Sequence, residues 1–246
     1  HNLFLDLLRK RLKSGSPELW SELHRRGSIW FEEQGYMDEA IEYSLSAEDM
    51  ERASDLILAR SDSMWDRGQQ HRLLDWLGRL PDSAIQARPR LNIYIARALA
   101  ISGRLGEAGT KLDEIKRTLE EKQKNSASNS SQVKDLLGRT AAIQAFLAAY
   151  HGDSDGMINF SRSALDQLDG DNIMWRGAAA STLGMAHSWA GDGDVFRAET
   201  AFKEAVRQAE AAGSIYFYLF SGNALATAES LKGNLNKSLD ILNDLL

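Results

Sequence analysis

The sequence predicts an all-α chain, built of antiparallel helix pairs that follow one another as a superhelical solenoid. Only three prolines interrupt 246 residues, Ala and Leu are abundant, and polar residues never alternate with β-branched ones over the length of a strand. A punctuation signal also recurs: an apolar helix runs to a Gly, a short polar turn follows, and a small or apolar residue opens the next helix.

Six such turns order the elements. They begin at Gly35-Tyr36-Met37, Gly68-Gln69-Gln70, Gly103-Arg104-Leu105, Gly152-Asp153-Ser154, Gly193-Asp194-Val195 and Gly233-Asn234-Leu235. Each Gly can take the left-handed conformation that closes a helix, which costs a side-chain-bearing residue steric energy. Their intervals of 33, 35, 49, 41 and 40 residues stay near the roughly 34-residue period of tetratricopeptide repeats, with extensions. The predicted fold is therefore tetratricopeptide-like.

Small residues support the pairing, because two helices approach closely only where one lacks bulk. Ala96, Ala145, Gly184 and Ala226 each stand seven residues before a turn Gly, with the fourth pair counted from Gly191. On the following helices, Ala40 with Ala47, and Ala198 with Phe202 and Ala205, keep the spacing of one buried face. The 49-residue interval holds the polar stretch Lys122 to Gln132, which reads as a solvated loop within residues 121–135. Phe4, Trp30, Trp65 and Trp76 lie among apolar residues and read as core. The start at His1 lacks Met and a signal pattern, and the apolar run Leu239, Leu242, Leu245, Leu246 stops uncapped. The chain thus reads as a piece of a longer protein, its last repeat truncated and its last leucines exposed.

Composition removes several function classes. A formal charge of −6 argues against direct nucleic-acid contact, which draws its affinity from clustered Lys and Arg. No apolar run approaches a bilayer's width, so no membrane partner is expected. The absence of cysteine excludes disulfides and thiolate metal sites and fits a cytoplasmic location.

A set of residues in the first half carries a resemblance. His1-Asn2-Leu3-Phe4 with Leu7-Leu8 is followed by Leu23-His24-Arg25-Arg26, Trp30-Phe31, Gln34-Gly35, Glu39-Ala40-Ile41 and Ala47, then by Asp75-Trp76-Leu77-Gly78-Arg79-Leu80-Pro81 and Arg88-Pro89-Arg90-Leu91. These resemble the large, ATP-dependent, MalT-like regulators of the LuxR family, specifically over residues 1 to about 115. The resemblance implies that residues 1–20 end a winged-helix-like module or form a connecting helix. It implies further that 21–120 hold the first repeats; composition and turn spacing then give a polar loop at 121–135 and further, truncated repeats at 136–246. It also implies a parent protein whose ATPase module and DNA reader lie outside this chain, with the repeats receiving an inducer.

Catalytic and metal motifs are weak. Gly103 to Lys111 lacks the order and the preceding strand of a phosphate loop, and reads as an inter-helix turn. Asp153-Ser154-Asp155 and Asp192-Gly193-Asp194 lack the later bidentate acid of a calcium loop, and read as solvated turns. His24, His71, His151 and His187 stand singly, and no nucleophile elbow is present. Glu32-Glu33 with Glu39 and Glu42 reads as a solvated acidic face. The expectation is a non-enzymatic segment that carries no cofactor and no metal.

A binding surface is expected where the first helices of successive pairs line a groove. Registering those helices on their turn Gly places Arg97, Arg139, Phe146, Tyr150, Ser181, Met185, Trp189, Asn223 and Thr227 there. Aromatic faces mixed with hydrogen-bonding groups suit a small polar ligand or a peptide. Two functions follow. One is a sensor in which a small-molecule inducer or regulatory protein shifts the state of other domains of the parent chain. The other is a scaffold that holds a peptide or protein partner. A clamp for a carboxylate tail is disfavoured by Leu58, Asp62, Ile93, Ala142 and Phe146 at its positions.

Overall fold

The computed structural model describes residues 2–125, 130–190 and 193–246; the side chains of residues 2–6, 9, 66, 123–125, 130, 189, 190 and 216 lie outside that description. Every regular element among the described residues is helical. The chain divides into two compact units, His1–Leu91 and Asn92–Leu246.

The first unit holds α1 (Asn2–Gly15), α2 (Pro17–Glu33), α3 (Met37–Ser46), α4 (Met50–Asp66), α5 (Gln70–Gly78) and α6 (Asp82–Ala87). The break between α1 and α2 falls at Ser16, before Pro17. Proline has no N–H to leave unsatisfied and its fixed φ suits the first helical position. The boundary expected at residue 20 therefore falls inside α2.

The second unit runs from α7 (Pro89–Ile101) through α8 (Leu105–Asn125), α9 (Ser130–Tyr150), α10 (Ser154–Gln167), α11 (Ile173–Met185), α12 (Val195–Ala211), α13 (Ile215–Leu231) and α14 (Leu235–Asp244). A π-helical turn, Ala186–Ala190, continues α11. The polar stretch expected to be a loop is mostly helix, since α8 persists to Asn125 and α9 starts at Ser130, leaving residues 126–129 outside the description. Lys, Glu and Gln are good helix formers, and pairs such as Lys116 with Glu120 (3.9 Å) support a helix that is polar on most sides.

All six predicted turn glycines have positive φ, between +67° and +84°, and Gly213 makes a seventh turn that the spacing did not reveal. The backbone closes the turns at Gly35, Gly68, Gly103, Gly152, Gly213 and Gly233 alike: Tyr36 N donates to Phe31 O (2.8 Å) and Asn234 N to Glu229 O (2.9 Å). This bond satisfies a carbonyl that the helix end leaves open.

The small-residue register holds through both units. Seven residues before these glycines stand Ser28, Ser61, Ala96, Ala145, Ala186 and Ala226, and five after them Ala40, Leu73, Ala108, Met157, Ala198 and Ser238, all buried. In the first pair Ser28 Oγ donates to Ala40 O (2.8 Å), and in the last Ser238 Oγ donates to Ala226 O (2.8 Å). Gly184 packs directly beneath Phe202, whose ring a Cβ there would meet at 2.6 Å.

Three expected placements need correction. Trp65 and Trp76 are buried, but Trp30 is 53% exposed and rests edge-on against Phe31; Phe4 lies outside the described side chains. Leu246 is exposed as expected, but Leu242 is half-buried and Leu245 sits on Gly222, while Leu235 and Leu239 on α14 are exposed. A Cβ-free surface at Gly222 gives Leu245 a seat that its place near the chain end did not suggest. The acidic face of the first unit is engaged: Glu32 pairs with Arg52, and Glu42 accepts from Trp76 Nε1 (2.7 Å) and Arg79 (2.8 Å).

Candidate functional site

Three helices of the second unit bring charged and aromatic side chains together. Tyr94 and Arg97 project from α7, Asp135 and Arg139 from α9, and Trp175 from the first turn of α11. Spacings of three and four residues put each helical pair on one face. The Trp175 ring is the common platform, with the Arg97 guanidinium carbon 4.5 Å and that of Arg139 5.3 Å from its centroid. Tyr94 tilts toward the same ring at 6.4 Å. All four side chains are buried, the two arginines at 7% exposure each.

Burying two guanidiniums is costly unless their charge is met. Asp135 meets part of it by accepting from Arg139 Nε at 2.8 Å, and its other oxygen accepts from Asn172 Nδ2 at 2.7 Å. A weaker contact from Asp169 N, at 3.4 Å, adds to that oxygen. Asp135 thereby ties α9 to the turn that precedes α11. The indole face contributes attraction to each guanidinium, on the order of 2 kcal/mol where water is excluded. The Trp175 Nε1 hydrogen is buried without a hydrogen-bond partner among the described residues. Such a donor can be satisfied by an acceptor brought in from outside.

The other expected groove residues fall into separate places. Phe146 and Tyr150, further along α9, pack edge to face at 5.0 Å, with Tyr150 58% exposed. Asn223 and Thr227 are exposed on α13, and Thr227 donates to the Asn223 carbonyl (2.9 Å). Ser181 is buried and shares a hydrogen bond of 2.9 Å with Ser221. Met185 is half-buried and packs against two hydrophobic clusters, one holding Ala198 and Phe202 and the other Ala148 and Met157. The Trp189 side chain lies outside the described residues.

Sequence reasoning placed Arg97 and Arg139 on one surface with seven other residues but missed Trp175, Tyr94, Asp135 and Asn172. Only the register of α11 against α7 and α9 joins Trp175 to arginines so distant in sequence. The suspected metal or phosphate motifs have structural uses. Asp153 caps α10 by accepting from Gly156 N (2.8 Å), and Asp194 caps α12 by accepting from Phe196 N and Arg197 N. Gly103 is a helix-closing turn. His24 stacks between Trp20 and Tyr43.

The fold these helices build is that of an all-helical chain of packed helix pairs. A crystal structure of BtubC (BKLC) from P. vanneervenii is similar at a TM-score of 0.50 and 14% identity, covering 94% of this chain and 89% of that one. At that identity the likeness shows the fold alone. No family model matches the chain.

Among curated proteins, the HTH-type transcriptional regulator MalT of Klebsiella pneumoniae is 27% identical over 184 residues, 75% of this chain and 19% of MalT. The serine/threonine-protein kinase PknK of Mycobacterium tuberculosis is 39% identical over 98 residues, 40% of this chain and 9% of the kinase. The chain is distantly homologous to MalT, and it spans less than a fifth of the length of either relative.

Proposed function

We propose that this chain is the signal-receiving helical-repeat domain of a LuxR-family, MalT-like transcriptional regulator acting in the cytoplasm. On this reading its helix pairs are tetratricopeptide-like repeats. A small-molecule inducer or regulatory protein engages the α7, α9 and α11 face and shifts the ATP-dependent self-assembly of the parent chain. The chain itself is not an enzyme, carries no cofactor, and leaves DNA contact to another domain.

The observation that carries this reading is the meeting of Arg97, Arg139 and Trp175, one residue from each of three helices. A ligand accepting from those donors bridges successive helix pairs, so that its binding energy acts on their relative packing. A ligand shifts an equilibrium only through such differential contact. The extent of the match to MalT supports the regulator role.

A second reading, a scaffold that holds a peptide or protein partner, is favoured by the match to PknK. A related segment occurs there in a protein named as a kinase, so its use extends beyond transcription.

Melting temperature measured against sugars, carboxylic acids and small aromatic metabolites separates the two, since a ligand bound only by the folded state raises it by mass action. The sensor reading expects a saturable rise that Arg139→Ala removes. No rise with any class favours the scaffold.

A further inference from the structure

The opposite side of α9 borders a second site. Leu137, Ala141 and Gln144 recur at helical spacing, and Leu137 lies two residues before Arg139, about 200° round the helix from it. They floor a cleft of about 430 Å³ between α8 and α10. That volume falls in the range of small-molecule sites.

The cleft is amphipathic in a directed way. Ala141 is buried at its base, and half-buried Leu137 and Phe160 give it apolar walls. The side-chain amides of Gln144 and Gln167 enter from α9 and α10, Gln167 Nε2 donating to Ser163 Oγ at 2.7 Å. Its charged lining residues, Lys116, Glu120 and Lys134, are all exposed. Lys116 has Glu120 3.9 Å away, both nearly half exposed, whereas Lys134 has no carboxylate partner among the described residues. One exposed ammonium is thus left to pair with an incoming charge, beside an aromatic wall that suits a flat ring.

We infer that this cleft binds a small aryl-alkyl carboxylate, its ring against Phe160 and Leu137 and its carboxylate at Lys134. The amides of Gln144 and Gln167 are placed to serve polar ring substituents. Glu120 disfavours a dianion, so a singly charged ligand fits better than a phosphate ester. The site is independent of the Arg97, Arg139 and Trp175 cluster and of the function proposed for it.

The test is calorimetric titration of the chain with indole-3-acetate and with its neutral counterpart indole-3-ethanol. The acid is expected to bind saturably in the millimolar range or tighter, and about fivefold more tightly than the alcohol, the size of one partly exposed ion pair. Lys134→Gln, at an exposed position that leaves folding undisturbed, should bring the acid down to the alcohol's affinity. Phe160→Leu should weaken both, and Tyr150→Ala should change neither. No saturable binding of the acid, equal affinity for acid and alcohol, or undiminished preference in Lys134→Gln would each overturn the assignment.

Discussion

Glu48, at the end of α3, has φ +59° and is the one residue other than glycine with positive φ among the described residues. It makes the same closure as the glycine turns, Asp49 N donating to Ser44 O (3.0 Å). The left-handed backbone costs a side-chain-bearing residue about 1 kcal/mol. Glu48→Gly should therefore stabilise the protein by about that amount, raising the melting temperature by about 2–4 °C. Glycines inside helices divide according to what surrounds them. Gly109 in α8 has open space where a Cβ would go, so Gly109→Ala should stabilise by up to about 1 kcal/mol through helix propensity. Gly184→Ala gains the same propensity but drives its methyl into the buried Phe202 ring. Overpacking costs about 1–3 kcal/mol, so a net loss should appear in denaturant unfolding.

At the scale of elements, α12, α13 and α14 are joined by a polar network that the sequence pattern concealed. Glu199 on α12 accepts from Lys203 (2.6 Å), Lys232 and Lys237, and fully buried Glu229 on α13 accepts from Lys237 and Asn234 (2.8 Å). Hydrogen bonds from Lys203 and then Lys232 hold the Glu199 carboxyl well below the usual carboxylate range. Burial works to raise Glu229, but hydrogen bonds from Lys237 and Asn234 outweigh it and keep it depressed as well. A carboxylate depressed in the folded state contributes stability that is present above its unfolded pKa of about 4.3. That stability is lost as pH falls through the lower folded value. Glu229→Gln should melt lower than the native chain at pH 7, and the gap should narrow as pH falls below about 4, where the unfolded carboxyl takes up a proton that the depressed folded one does not. A gap independent of pH would show that the network does not titrate as a unit.

The same scale shows what was legible in the sequence. The glycine turns and the small residues before them depend on local backbone and contact rules, and both were readable. The polar stretch after Glu121 was misread because a loop and a solvated helix share a composition, whereas Lys116 with Glu120 favours helix by spacing. Trp175 and Asp135 stayed hidden for a different reason: their partners lie on other helices, at a register that only packing sets.

For the whole molecule, distant homology to MalT and the partial match to PknK relate the chain to proteins far longer than itself. No helix among the described residues is long and apolar enough to cross a membrane. The central claim is that a ligand is read where Arg97 and Arg139 meet Trp175. The most direct measurement is the fluorine spectrum of the chain labelled with 5-fluorotryptophan, its six tryptophans resolved by substitution, during titration with a compound that raises the melting temperature. The account predicts a saturable shift of the Trp175 resonance that is lost in Arg139→Ala. A Trp175 resonance that stays fixed while the compound binds would contradict it.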